Sequence, residues 1–142
     1  MLDDVLINKA ATIERCVGRA QAELAAAGAN LASDFTRQDA AILNVQRACE
    51  AALDMGQHII RREKLGVPQS ARDVFSLLGA AGWIEPMLVL NLQKMVGFRN
   101  IAVHDYQTLL IPIVVEVITK HLDDFLQYSS TLLQRASQKS QK

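Results

Sequence analysis

From Val5 onward, apolar residues return at intervals of three and four: Val5, Leu6, Ile13, Val17, Ala20 and Leu24. That is the spacing of one face of an α-helix, so residues 2–32 are predicted to be helical, ended or weakened near Gly28. Asp3 and Asp4 suit the positive end of its dipole. Residues 33–36 read as a connection, with Thr36 and Asp39 spaced as a capping box. A second helix is predicted over 37–64, striped by Ile42, Val45, Cys49, Leu53, Gly56, Ile59 and Ile60, and stopped by Gly66-Val67-Pro68. Ser70 with Asp73 caps a short third helix over 71–80, and Trp83 packs under the turn that follows. Pro86 fits the first turn of a fourth, where its missing N–H costs little, and that helix carries Met87, Leu88, Leu90, Leu92, Met95 and Val96 toward Arg99. The pattern breaks at 105–108. A fifth helix then runs to about residue 135, with Pro112 in its first turn and Ile111, Val114, Val115, Ile118, Leu122, Phe125 and Leu126 on its buried face. No strand pattern occurs. The elements make an all-α, antiparallel four-helix bundle with an additional short helix: one domain over 1–135 and a flexible polar tail over 136–142.

Composition narrows the options. Half of the 142 residues are hydrophobic and only 5% are aromatic, so Leu, Ile, Val and Ala must fill a real core. Fifteen basic and fifteen acidic residues leave no net charge, which argues against a protein that coats nucleic acid nonspecifically. Cys16 and Cys49 lie in helical patterns without metal spacing, as free thiols of a reducing cytoplasm do. The start of the chain has no basic region leading into an apolar run, and the most apolar stretch, 109–118, contains Pro112 and Glu116 and is too short to span a bilayer. A cytoplasmic protein with no membrane partner is expected. Glycine-rich phosphate loops, zinc-spaced cysteine pairs and His-Glu-x-x-His are absent, and no cofactor is expected.

One stretch does not fit a plain bundle. Between apolar flanks, Arg99-Asn100-Ile101-Ala102-Val103-His104-Asp105-Tyr106 gathers a guanidinium, an amide, an imidazole, a carboxylate and a phenol. At about 100° per residue, Asn100 and His104 share one stripe of a helix, Arg99 and Tyr106 a neighbouring one, and Phe98, Ile101 and Ala102 face a core. Arginine offers a planar fork that matches phosphate oxygens, and an imidazole can take a proton near neutrality. The pair suits metal-free cleavage of an RNA phosphodiester: His104 as general base on the ribose 2′-hydroxyl, and Arg99 holding the charge that builds on the phosphorus oxygens. The plainer reading is an Arg and a His on a solvated helix face. Glu50, between alanines and beside Cys49, reads either as a solvated edge residue or as a partner that holds the Arg99 guanidinium. His58, near Arg61, Arg62 and Lys64, reads either as part of a basic end that complements the helix dipole or as a contact for RNA phosphates, and His121 reads as an ordinary half-exposed residue.

The pattern Arg99-Asn100-x-x-x-His104-x-Tyr106 resembles the HEPN superfamily of helical ribonucleases, and its Arg-Asn and Val-His-x-Tyr parts resemble the HepT-like toxins encoded beside MNT-type nucleotidyltransferase antitoxins. Ala48-Cys49-Glu50-Ala51-Ala52-Leu53-Asp54, His58-Ile59-Ile60, Gly66-Val67-Pro68 and the segment from Phe75 to Leu78 are similar to the same branch, so the likeness spans roughly residues 36–130. The resemblance implies a metal-independent endoribonuclease toxin that forms a two-fold homodimer. Two copies of Arg99 and His104 would then face one cleft, with Asn100 orienting the phosphate or the imidazole. It also implies an antitoxin partner that neutralises the toxin by transferring AMP to Tyr106, and RNA as substrate. A different class stays open: a catalytically inactive helical dimer that binds or positions a nucleotidyltransferase.

Overall fold

The computed structural model describes residues 3–140, and the side chains of 3–138. Among these residues there are six α-helices and no strand: α1 (Asp4–Ala27), α2 (Phe35–Glu63), α3 (Ala71–Ala80), α4 (Pro86–His104), α5 (Ile111–Lys120) and α6 (Leu122–Ser140). Leu2, expected at the start of α1, lies outside the described residues. Asp3 caps α1, its carboxylate accepting the Val5 N–H at 3.0 Å. Gly28 ends it with a positive φ of 54°, which a glycine adopts without strain. The capping box expected at Thr36 and Asp39 is not the one used. Asp34 caps α2, accepting the Arg37 N–H at 3.2 Å, so the helix starts earlier than expected. Ser70 caps α3 as expected, accepting the Asp73 N–H at 3.1 Å.

Four ion pairs show how α1 and α2 run. Asp3 meets His58 and Arg62 at 2.6 and 3.3 Å, Lys9 meets Asp54 at 3.0 Å, and Glu23 meets Arg37 at 2.9 Å. Early residues of α1 face late residues of α2, so the two are antiparallel. The core is continuous and aliphatic, centred on α2, which packs against α1, α3, α4 and α6. Close approach is bought with small residues in two places: a Cβ on Gly56 would lie 2.6 Å from the Tyr128 hydroxyl and 2.7 Å from Val74 Cγ1, and one on Gly79 would lie 2.6 Å from Val89 Cγ2.

Two expectations change at the C-terminal end. The fifth helix is interrupted at His121 (φ −120°, ψ −10°), giving α5 and α6. The segment expected to start a tail at 136 instead continues α6 to Ser140, and Ala136 is buried. Arg135 anchors this end by donating to the Gly82 carbonyl at 2.8 Å. Gln141 and Lys142 lie outside the described residues. No helix among the described residues is long and apolar enough to cross a membrane.

Candidate functional site

Helix α4 buries Leu88, Leu92, Met95, Val96, Phe98 and Ala102, which fixes its rotation and so the direction of every polar residue near its end. It stops at His104. Asp105 leaves the helix (φ −150°, ψ 46°) while its N–H still bonds the Ile101 carbonyl at 2.9 Å. A single 3-10 turn, Tyr106–Thr108, follows. Tyr106 therefore does not continue the helical stripe of Arg99, as the uninterrupted spacing implied; it is carried on a separate turn past the helix end.

Arg99 points toward α2. Its Nε is sealed from solvent and has no hydrogen-bond partner, and its charge acts on the Cys49 thiol. Burial pushes that thiol up to about 12, the Arg99 charge opposes the rise, and Glu50 adds to it. Cys49 is thus a neutral thiol packed beneath the arginine. Arg99 and Glu50 line the same polar cavity of about 300 Å³, together with Leu53, Asp54, Gln57 and Ala71. Among the described residues Glu50 makes no ion pair with Arg99; its carboxylate accepts instead from Gln46, at a long 3.4 Å. Asn100 is half-buried on the next position of α4, and His104 is exposed on its last turn.

The other end of the site is a contact the sequence reading missed. The Tyr106 hydroxyl donates to Asp39 Oδ1 in the second turn of α2, across 67 positions of sequence. Burial raises the phenol pKa above its ordinary value, and the Asp39 hydrogen bond and charge raise it further. The spacing of Thr36 and Asp39 suits a capping box, but Asp34 performs the capping, and the Asp39 carboxylate is left for Tyr106. Cys49 near Arg99 and Asp39 near Tyr106 follow one antiparallel seam between α2 and the end of α4.

Apolar surface surrounds this seam. Ile101, expected in the core, is 41% exposed, and Val103, Leu110 and Ile113 are exposed nearby. Ile101 and Ile113 also border a groove of about 360 Å³ between α4 and α5, with Phe98 and Leu109 in its floor. His121 lines the same groove, half-exposed as expected, with Nδ1 4.0 Å from Asp124. His58, expected to complement the dipole at the end of α2, contacts Asp3 through Nε2 and so ties α2 to the start of α1.

A family model described as ribonuclease HepT-like matches residues 13–132. The chain belongs to this family. The mRNA nuclease HepT of Shewanella oneidensis is 52% identical over 127 residues, 89% of this chain and 95% of that one. A tri-AMPylated Shewanella oneidensis HEPN toxin in complex with an MNT antitoxin superposes with a TM-score of 0.87 at 50% identity, covering 92% of this chain and 98% of that one. A toxin–antitoxin crystal structure with AMP-PNP gives 0.85 at 48% identity, with the same coverage. The family's all-helical fold and the family resemblance read from Arg99 to Tyr106 agree with these likenesses.

Proposed function

We propose that this chain is an mRNA-cleaving toxin of a toxin–antitoxin pair, and that one end of its bundle carries both the cleavage and its control. Membership of the HepT-like family carries the reading; the placement of Arg99, His104 and Tyr106 around the end of α4 supports it. His104 takes the proton of a ribose 2′-hydroxyl. The 2′-oxygen attacks phosphorus, the bond to the 5′-oxygen breaks, and the leaving oxygen gains a proton. Arg99 balances the charge that grows on the non-bridging oxygens, and Asn100 orients the phosphate or the imidazole. No step calls for a metal, and the products are a 2′,3′-cyclic phosphate and a 5′-hydroxyl.

Arg99 is partly buried while His104 is exposed. A second copy packed over the exposed Ile101, Val103, Leu110 and Ile113 would enclose His104 and double the few cations of a neutral chain. The control step is AMP transfer to Tyr106 by an MNT-type nucleotidyltransferase, acting in the cytoplasm. An adenosine and a phosphate placed on the turn next to His104 would occupy the path of RNA.

The test is cleavage of RNA by the purified chain in EDTA, with end-group analysis of the fragments. Cleavage that survives chelation and ends in cyclic phosphates is expected. Removing a positioned general base costs about 10²–10⁴-fold, so His104→Ala should lower the rate by that order. A wild-type chain that leaves RNA intact would make it an idle partner of the transferase.

A further inference from the structure

We infer that Asp39 is the proton acceptor for modification of Tyr106: its carboxylate fixes the phenol hydroxyl and takes the phenol proton while the oxygen attacks the α-phosphorus of ATP. This rests on the reading of Tyr106 as the AMP acceptor, and extends it to a residue on another helix.

The geometry carries it. The Tyr106 hydroxyl has given its one hydrogen to Asp39 Oδ1. Its lone pairs therefore face away from α2, and the side chain is open enough, at 37% exposed, for a phosphorus to approach from that side. Proton departure and bond formation then occur on opposite sides of the same oxygen. The phenol holds its proton more firmly than a free tyrosine does, so no phenolate is waiting, and the proton must leave as the new bond forms. Asp39 is free for this work. It does not cap α2, and among the described residues it makes no ion pair. Phe35 and Leu43, one turn to either side on α2, are exposed, so the carboxylate lies in open surface that a transferase can cover. Nearby charges are already engaged or are not paired to it. Arg37 is held by Glu23 and Asp34, while His104 and Asp105 flank Tyr106 on its own segment.

The step balances without another reactant from this chain. The Tyr106 Oη–phosphorus bond forms, the bond from the α-phosphorus to the bridging oxygen breaks, and pyrophosphate leaves. The phenol proton passes to Asp39 and from there to water.

The experiment is single-turnover AMP transfer to the full chain by its nucleotidyltransferase with Mg-ATP, followed by intact mass and peptide mapping from pH 6 to pH 9. Asp39→Asn keeps the shape and a hydrogen-bond acceptor but cannot hold a proton. It should slow the first transfer at neutral pH by about 10²–10⁴-fold. The ratio of wild-type to variant rate should shrink toward high pH, as hydroxide replaces the lost base. Asp39→Glu should recover much of the rate. Thermal midpoints and transferase affinity of both variants should match wild type, which separates a chemical role from a structural one. Transfer to Asp39→Asn at the wild-type rate with the wild-type pH profile overturns this proposal alone. A wild-type chain that gains AMP only elsewhere, or not at all, overturns the reading of Tyr106 as well.

Discussion

The chain has two tyrosines, and they stand in opposite circumstances. Tyr128 is fully buried in the crossing of α2, α3 and α6, edge-on to Phe75 with ring centroids 5.4 Å apart. Its hydroxyl donates to the Ala52 carbonyl at 2.7 Å. Tyr106 sits on a surface turn and donates to the Asp39 carboxylate. Both phenols are harder to ionise than a free tyrosine: Tyr128 through burial, and Tyr106 through burial with Asp39's hydrogen bond and charge added. The same group is made inert in one place and available in the other. A backbone carbonyl satisfies a buried hydroxyl but cannot keep its proton, whereas an exposed carboxylate can. What separates the two phenols is the identity of the acceptor and the exposure of the hydroxyl.

The comparison breaks most sharply in truncation. Tyr128→Ala empties an aromatic-sized space at the centre of the bundle and should cost about 3–5 kcal/mol of unfolding free energy. Tyr106→Ala, on a surface turn, should cost far less, about 1 kcal/mol or below for the lost hydrogen bond to Asp39, while removing the proposed AMP acceptor. Urea titration of both variants measures the difference; equal losses would erase it.

A second test uses the glycines. Gly56→Ala forces a Cβ to within 2.6 Å of the Tyr128 hydroxyl and 2.7 Å of Val74 Cγ1, so something in the crossing must shift. Overpacking of this kind costs about 1–3 kcal/mol. Gly97→Ala, on α4 two residues before Arg99, meets only the flexible tip of Arg72 at 3.0 Å. That tip can move, and alanine favours a helix over glycine by about 0.8–1.0 kcal/mol, so Gly97→Ala should be neutral or stabilising. Thermal unfolding of the pair checks the opposite signs.

Smaller effects sharpen the picture. Tyr128→Phe removes a buried hydrogen bond and should cost about 1 kcal/mol, against a smaller loss for Tyr106→Phe, by the same urea titration. Cys49, buried and with its thiol pushed up to about 12, should resist alkylation at pH 8 until the protein is unfolded, which mass spectrometry can follow. The smallest change concerns Asp3. Burial raises its pKa, but the hydrogen bond to His58, the Leu6 and Val5 N–H groups and the charge of His58 more than offset that, and the net shift is downward from 3.8. A carboxyl lowered on folding adds stability that is present above about pH 4 and is lost as acid protonates it. Asp3→Asn keeps an N-cap and removes the charge, so its deficit relative to wild type should be seen at pH 7 and should fade below pH 4.

The bundle was largely legible because its helices announce themselves. Apolar spacing, Gly28, Ser70 with Asp73, and Pro86 place most boundaries within a few residues of those observed. The break at His121 was not, since the apolar stripe passes through it without a glycine or proline. The fate of 136–140 was hidden too, because Ala136 finds its contacts only in the folded bundle and polar composition says nothing of that. Arg99, Asn100, His104 and Tyr106 stood close in sequence, but Arg99 turns into a cavity against α2 while His104 is exposed and Tyr106 bonds Asp39 from a separate turn. Asp39 was missed for two reasons. Its partner is 67 positions away, and an acid three residues after a threonine at a helix start is itself a recognised local pattern. Ile101 was placed in the core by helix phase alone, but α4 is apolar around most of its circumference, and phase then no longer distinguishes the core side from an exposed apolar face.

That cleavage and control share one end of the molecule can be tested on a single preparation. RNA cleavage is measured on the purified chain before and after AMP transfer, with the modified fraction read by intact mass in the same tube. Activity should fall in step with the fraction modified at Tyr106. A fully modified chain that cleaves RNA at its original rate would contradict a shared site.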